Sequence, residues 1–142
     1  MNMLKGKLLH PQILEALASS GHGSMILISD GNYPHITGSP QPAKKVFLNL
    51  SPGTVKVTEV LEALVSAIPI ESVAVMNPPV DKPQPEIYSE FKKILPSDVE
   101  WKNLQRFEFY DYARSSNTSL VIATGDQRLY ANIILTIGVV PP

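Results

Sequence analysis

The apolar residues of this chain come in short unbroken runs, and segments of helical period separate those runs. "SMILISD", "SVAVM", "SLVIATG" and "LYANIILTIGVV" are continuous rather than alternating, the pattern of strands covered on both faces. "HPQILEALASSG" is helical instead: Pro11 suits a first turn, Ile13, Leu14, Leu17 and Ala18 fall on one face, and Gly21 is a natural stop. From Val57, the positions Val57, Val60, Leu61, Leu64, Val65 and Ile68 step by three and four, which predicts a second helix ended by Pro69. "EIYSEFKKIL" gives a third helix of modest amphipathicity and "FEFYDYARSS" a short fourth, while residues 31–53 form a long proline-rich loop with room for a short strand at "KVFLNL". Strands covered on both faces require helices on both faces of their sheet. The expected fold is therefore α/β: a single compact domain over residues 1–142, with a central, mostly parallel sheet flanked by helices.

Composition narrows the function classes. A formal net charge of −1, with no block of like charges, supplies no basic stripe for a nucleic acid or an anionic membrane. Cysteine is absent, which removes disulfides, thiolate catalysis and thiolate metal sites together. Neither "MNMLKGKLLHPQ" nor any later run has the length of a signal or membrane segment, so the expectation is a cytoplasmic protein without a membrane anchor. Internal repeats and low-complexity tracts are absent.

Few residues are left to carry chemistry. His22 stands between Gly21 and Gly23 at a helix-to-strand junction, where little bulk crowds an imidazole. Asp30 follows at the C-terminal end of a buried strand, where open α/β sheets place their ligands. A strand over residues 24–29 would hold the two groups roughly 20 Å apart, so they share a ligand only if the loop folds back or a second subunit supplies one of them. Each also has a structural explanation, a capping histidine and an Asp-Gly turn. Arg106 and Tyr110, four apart, share a helix face, and Arg128, Tyr130 and Asn132 alternate as in a strand. His10 reads as an N-cap, His35 lies in the proline-bounded loop, and the three scattered histidines lack metal-ligand spacing.

Together, "LKGKLLHPQILEALASSGHG", "ISDGNYP", "RFEFYDYA" and "YANIILTIGVV", in this order and over nearly the whole chain, resemble the ribose pyranase and fucose mutarotase family, the RbsD/FucU-like proteins. The resemblance implies a ring-shaped homodecamer with sites at subunit interfaces. It also implies a cofactor-independent interconversion of the anomers or ring forms of a free monosaccharide. His22 falls on the family's general acid/base, Asp30 on its substrate-binding aspartate, and Tyr130, Ala131 and Asn132 on its C-terminal sugar-contacting motif. Arg106 matches an arginine of the fucose-type branch, and Tyr110 stands where the ribose-type branch has a second histidine; both are candidates, Arg106 for binding and Tyr110 or Tyr130 for a second proton relay. Three positions depart from the pattern: Ser24 replaces an aspartate usual in the family, Asn32 a histidine common in the fucose-type branch, and "YAN" occurs in the ribose-type branch where the fucose-type branch often has "YGN".

The chemistry suits the residues. Opening a cyclic hemiacetal moves one proton off the anomeric hydroxyl and one onto the ring oxygen, and imidazole is the side chain whose unperturbed pKa suits both steps near neutrality. The reading is thus an L-fucose-type mutarotase first and a D-ribose-type second, with a non-catalytic monosaccharide-binding module as the alternative from another class.

Overall fold

The computed structural model describes residues 3–142; the first two residues of the amino-terminal stretch lie outside the described residues. The chain runs α1 (Pro11–Ser19), β1 (Met25–Ser29), β2 (Lys44–Phe47), α2 (Val57–Val65), β3 (Ile70–Met76), α3 (Ile87–Ile94), β4 (Glu100–Leu104), α4 (Arg106–Ala113), β5 (Thr118–Ala123) and β6 (Ile133–Ile137). One six-stranded sheet has the order β2-β5-β1-β6-β3-β4. Strand β6 alone runs antiparallel, paired with β1 on one side and β3 on the other, and the remaining pairs are parallel. The expected α/β architecture and mostly parallel sheet are both present.

The unbroken apolar runs have the predicted consequence. Along β1, Ile26 and Ile28 pack with Ile13, Leu61 and Phe91 on the face covered by α1, α2 and α3. Met25 and Leu27 point the other way and pack with Phe109, Ala113 and Tyr33 beneath α4 and the 31–43 loop. Every side chain of β1 is buried. At about 25 cal/mol per Å² of apolar surface, such doubly covered strands provide the main driving force of the fold.

Several local expectations need correction. Ala18 is exposed; it lies about 140° around the helix from Ile13, off the face that Ile13 and Leu17 bury. Gly21 does follow the Ser20 cap just past the helix, as expected, while Gly23 is the residue that adopts the left-handed conformation, with φ of 87°. Helix α2 stops at Val65, and Ala67 and Ile68 close a last turn onto Leu64 before Pro69. The short strand of the long loop starts at Lys44 and ends at Phe47. Helix α3 is more sharply two-sided than its sequence suggested, with Ile87, Tyr88 and Phe91 buried and Lys92 and Lys93 exposed. Strand β4, "EWKNL", went unpredicted because it is a polar edge strand, with neither an unbroken apolar run nor a clean alternation. His10 is the expected N-cap: its Nδ1 accepts from the Ile13 N–H at 3.4 Å.

Candidate active site

The strands β1 to β5 all point the same way, so their C-terminal ends share one edge of the sheet. Asp30 follows directly from β1 at this edge and is 4% exposed. Its Oδ1 accepts from the N–H groups of Asn32 and Tyr33, both at 3.0 Å. Its Oδ2 accepts from Asn132 Nδ2 at 3.1 Å, while Asn132 Oδ1 accepts from the Asp30 N–H at 2.7 Å. This reciprocal pair closes the entry to β6 against the exit of β1. Burial pushes the Asp30 carboxyl above the usual carboxylate range, and the hydrogen bonds from Asn32, Tyr33 and Asn132 oppose the shift.

Tyr33 links Asp30 to α4. Its ring meets Tyr110 edge-on at 5.3 Å between centroids, and its hydroxyl donates to the Gly38 carbonyl at 2.7 Å. Arg106 Nε donates to the Tyr110 hydroxyl at 3.2 Å, so the i, i+4 pair shares a face as expected. The Arg106 guanidinium also sits over the rings of Phe107 and Tyr110, each at 5.6 Å. His35 approaches the same edge: its Nδ1 lies 2.8 Å from Ser29 Oγ, and burial holds its pKa below the usual imidazole value.

The segment between β5 and β6 is held by a separate polar group. Arg128 binds buried Asp126 bidentately, Nε to Oδ1 at 3.0 Å and Nη2 to Oδ2 at 2.8 Å, and reaches Glu90 of α3 at 2.6 Å and Thr58 of α2 at 3.2 Å. Asp126 Oδ2 also accepts from the Val57 N–H at 2.9 Å, capping α2 from 69 residues away in sequence. Burial alone would raise the Asp126 carboxyl, but the Arg128 guanidinium and the backbone donors outweigh it and hold it below its ordinary value. The expected strand through Arg128, Tyr130 and Asn132 does not form. Residues 128–130 turn, Tyr130 has φ of 60°, and the side chains diverge: Arg128 binds Asp126 and Asn132 binds Asp30. Ala131 is fully buried between them. Tyr130 borders a groove of about 590 Å³ whose walls are chiefly Pro78, Pro79, Pro83, Pro85 and Leu129.

His22 stands apart from all of these. It belongs to the turn before β1, at the opposite edge of the sheet, so a single chain does not bring it to Asp30. Its side chain is 59% exposed, and its Nε2 lies 2.6 Å from Oε1 of Glu71, itself 48% exposed. Ser24 is not the imidazole's partner; its Oγ accepts from the Gly21 N–H at 3.3 Å and closes the turn. Glu71 went unnoticed in the sequence, although a lone charge at the start of an apolar strand was its signal. Among the described residues, no group of three or more His, Cys, Asp and Glu side chains is placed to hold a metal ion. No helix among them is long and apolar enough to cross a membrane.

Residues 3–140 match the family described as the RbsD / FucU transport protein family. The chain belongs to the RbsD/FucU family. Within that family it is similar to a protein of Danio rerio named fucose mutarotase, 34% identical over an alignment covering 100% of this chain and 97% of that one. Its fold matches the fucose mutarotase of Streptococcus pneumoniae solved with L-fucose, with a TM-score of 0.81 and 27% identity over 97% of this chain and 100% of that one. It also matches RbsD of Bacillus subtilis solved with D-ribose, with a TM-score of 0.83 and 27% identity over 98% of this chain and 100% of that one. Both RbsD/FucU neighbours are thus sugar complexes, and their folds superpose along nearly the whole chain.

Proposed function

We propose that this protein is a cofactor-independent mutarotase that opens and recloses the ring of a free monosaccharide, acting on an L-fucose-type sugar first and a D-ribose-type sugar second. The observation that carries the reading is the buried Asp30–Asn132 pair at the C-terminal edge of the sheet, in a chain similar to proteins named fucose mutarotase and D-ribose pyranase. A carboxyl group already fixed by its neighbours accepts hydrogen bonds from sugar hydroxyls at little ordering cost. Arg106 donates to hydroxyls from α4, and the peptide and side chain of Tyr130, with Ala131 and Asn132, flank the sugar.

In the reaction, His22 takes the proton of the anomeric hydroxyl. The electron pair left on that oxygen forms the carbonyl as the bond between C1 and the ring oxygen breaks, and the ring oxygen takes a proton from Tyr110 or Tyr130. Rotation about C1–C2 and reversal of the steps give the other anomer. A positioned acid/base of this kind contributes on the order of 10² to 10⁴ in rate, enough for a reaction that already proceeds unaided.

The site is shared between copies of the chain, because His22 and Asp30 occupy opposite edges of one sheet. A homo-oligomer, the ten-membered ring implied by the resemblance, supplies the missing imidazole from a neighbour. Exposed Ile36, Phe47 and Leu50, beside the open edge of β2, offer apolar surface for such contacts. The groove beside Tyr130 is mostly apolar, although Lys82, Gln84, Glu86 and Arg128 also line it, and this supports a sugar carrying a methyl group over one carrying a hydroxymethyl group.

Saturation-transfer NMR on equilibrated sugars tests the reading. D-Arabinose, L-fucose and L-galactose form a series differing only in the substituent at C5: hydrogen, methyl and hydroxymethyl. The expected result is anomer exchange fastest for L-fucose, with D-ribose as the second substrate. The separation of His22 from Asp30 within one chain favours a second reading, a non-catalytic sugar-binding module. Sugar line broadening without faster exchange would select it.

A further inference from the structure

We propose that Arg128 is the positioning residue for Tyr130, holding it in the left-handed backbone conformation that sets the Tyr130–Ala131 peptide against the sugar. The inference rests on the mutarotase reading for its consequence, but its geometry stands independently. Tyr130 is the one non-glycine residue with a positive φ, 60°, among the described residues. A residue with a Cβ disfavours this region, because the Cβ crowds the following carbonyl oxygen. Such a conformation persists only where its surroundings over-determine it, and it concentrates at functional sites.

The surroundings here are two anchors with a bare stretch between them. Residues 129–131 form no backbone hydrogen bond of their own among the described residues. Leu129 is 72% exposed and Gln127 is exposed as well, so neither side chain fixes the turn. After Tyr130, Ala131 is buried and Asn132 is paired with Asp30. Before it, the anchor is Arg128. Its N–H donates to Asp126 Oδ1 at 3.0 Å, and its guanidinium takes the same carboxylate in a fork. Nη1 reaches Glu90 at 2.6 Å and Nη2 reaches Thr58 at 3.2 Å, which ties the turn to α3 and α2.

A guanidinium suits this task, since a flat fork can hold one carboxylate while its outer N–H groups meet two further acceptors. An ammonium carries the charge but not the fork. Contacts within the protein occupy all three of the Arg128 side-chain nitrogens, so Arg128 acts on the sugar through the backbone of the turn and not by touching it. It also lies outside the "YAN" motif on which the resemblance rests.

The test uses the full chain and two readouts. Arg128→Lys keeps a charge beside Asp126 and loses the fork. Should that chain fail to fold, Thr58→Ala combined with Glu90→Ala leaves the Arg128–Asp126 pair intact and cuts both ties to the helices. Backbone ¹³C and ¹⁵N shifts of Tyr130, in protein labelled at tyrosine, report its conformation, and saturation transfer on L-fucose reports kcat and KM. The expected result is Tyr130 shifts that leave their left-handed values, with KM raised about fivefold or more and kcat changed less. Unchanged Tyr130 shifts, or a KM within about twofold of wild type, in a variant that still unfolds cooperatively would overturn the proposal and leave Arg128 a structural tie. Tyr130 shifts that move in a protein whose wild type shows no exchange activity on any sugar would uphold the hold on the turn and overturn the mutarotase reading instead.

Discussion

The two ends of strand β1 are built in opposite ways. At its C-terminal end, Asp30 is buried, every oxygen of its carboxylate is engaged, and Asp126, Arg128, Glu90 and Thr58 lock the neighbouring segment to two helices. At its N-terminal end, His22 projects into solvent with a single carboxylate for company. One end is a rigid, fully paired polar cluster within one chain. The other is an accessible imidazole, which the proposed function makes the proton-transfer group of a site completed by a neighbouring copy. Under the proposed function the contrast divides holding a ligand from acting on it: rigid, buried polar groups suit recognition, and an accessible imidazole suits exchange with a partner surface.

Removing the imidazole gives the largest expected effect on rate and the least on the fold. His22→Ala should slow anomer exchange by about 10² to 10⁴ while leaving stability within about 0.5 kcal/mol, measured by saturation transfer and by denaturant unfolding. Equal loss of stability and assembly would return His22 to a structural role and erase the contrast. Asp126→Ala is the mirror experiment. It strips the Arg128 guanidinium of its buried partner and the Val57 N–H of its acceptor, so denaturant unfolding should show a loss of about 3–5 kcal/mol. A loss below about 1 kcal/mol would mean that the C-terminal end is not locked as described.

Acid sharpens the comparison with a smaller effect. Burial lowers the pKa of His35, beside Ser29, Tyr33 and Phe47, so folding favours the neutral ring. Its contribution is complete above the unfolded value of about 6.5 and is lost as pH falls through the lower folded value. Asp126, also lowered, loses its contribution further down, below about 3.9. Asp30, raised by burial, acts with the opposite sign, its cost relieved as pH falls through its raised value. Thermal melts from pH 7.5 downward should therefore show an early fall in wild type that His35→Gln flattens. An identical early fall in the variant would place its origin elsewhere.

Much of this arrangement was legible in the sequence. Unbroken apolar runs announced the buried strands, and the three-four spacing announced α2, because both patterns follow directly from burial on two faces or one. Polar "EWKNL" escaped because an edge strand gains its hydrogen bonds from a neighbour without needing an apolar run. The alternation of Arg128, Tyr130 and Asn132 misled for a related reason: each side chain answers to a different long-range partner, and Asn132 meets Asp30 across 102 residues. No local pattern encodes such a pairing. His22, Asp30, Arg106 and Tyr110 were identifiable as isolated residues, but the edge of the sheet each occupies, and the reach of Glu71 to His22, depend on strand order and on a bulge.

The shared site is tested most directly by complementation. L-Fucose anomer exchange is measured for wild type, for His22→Ala, for Asp30→Ala, and for the two variants unfolded and refolded together. Arg106→Ala, at an exposed position, replaces Asp30→Ala should that chain fail to fold. The account predicts an active wild type, inactive single variants, and a co-assembled mixture that regains activity at about a quarter of its sites, those pairing an intact imidazole with an intact carboxylate. An active wild type with a mixture that stays inactive would contradict a site built from two copies.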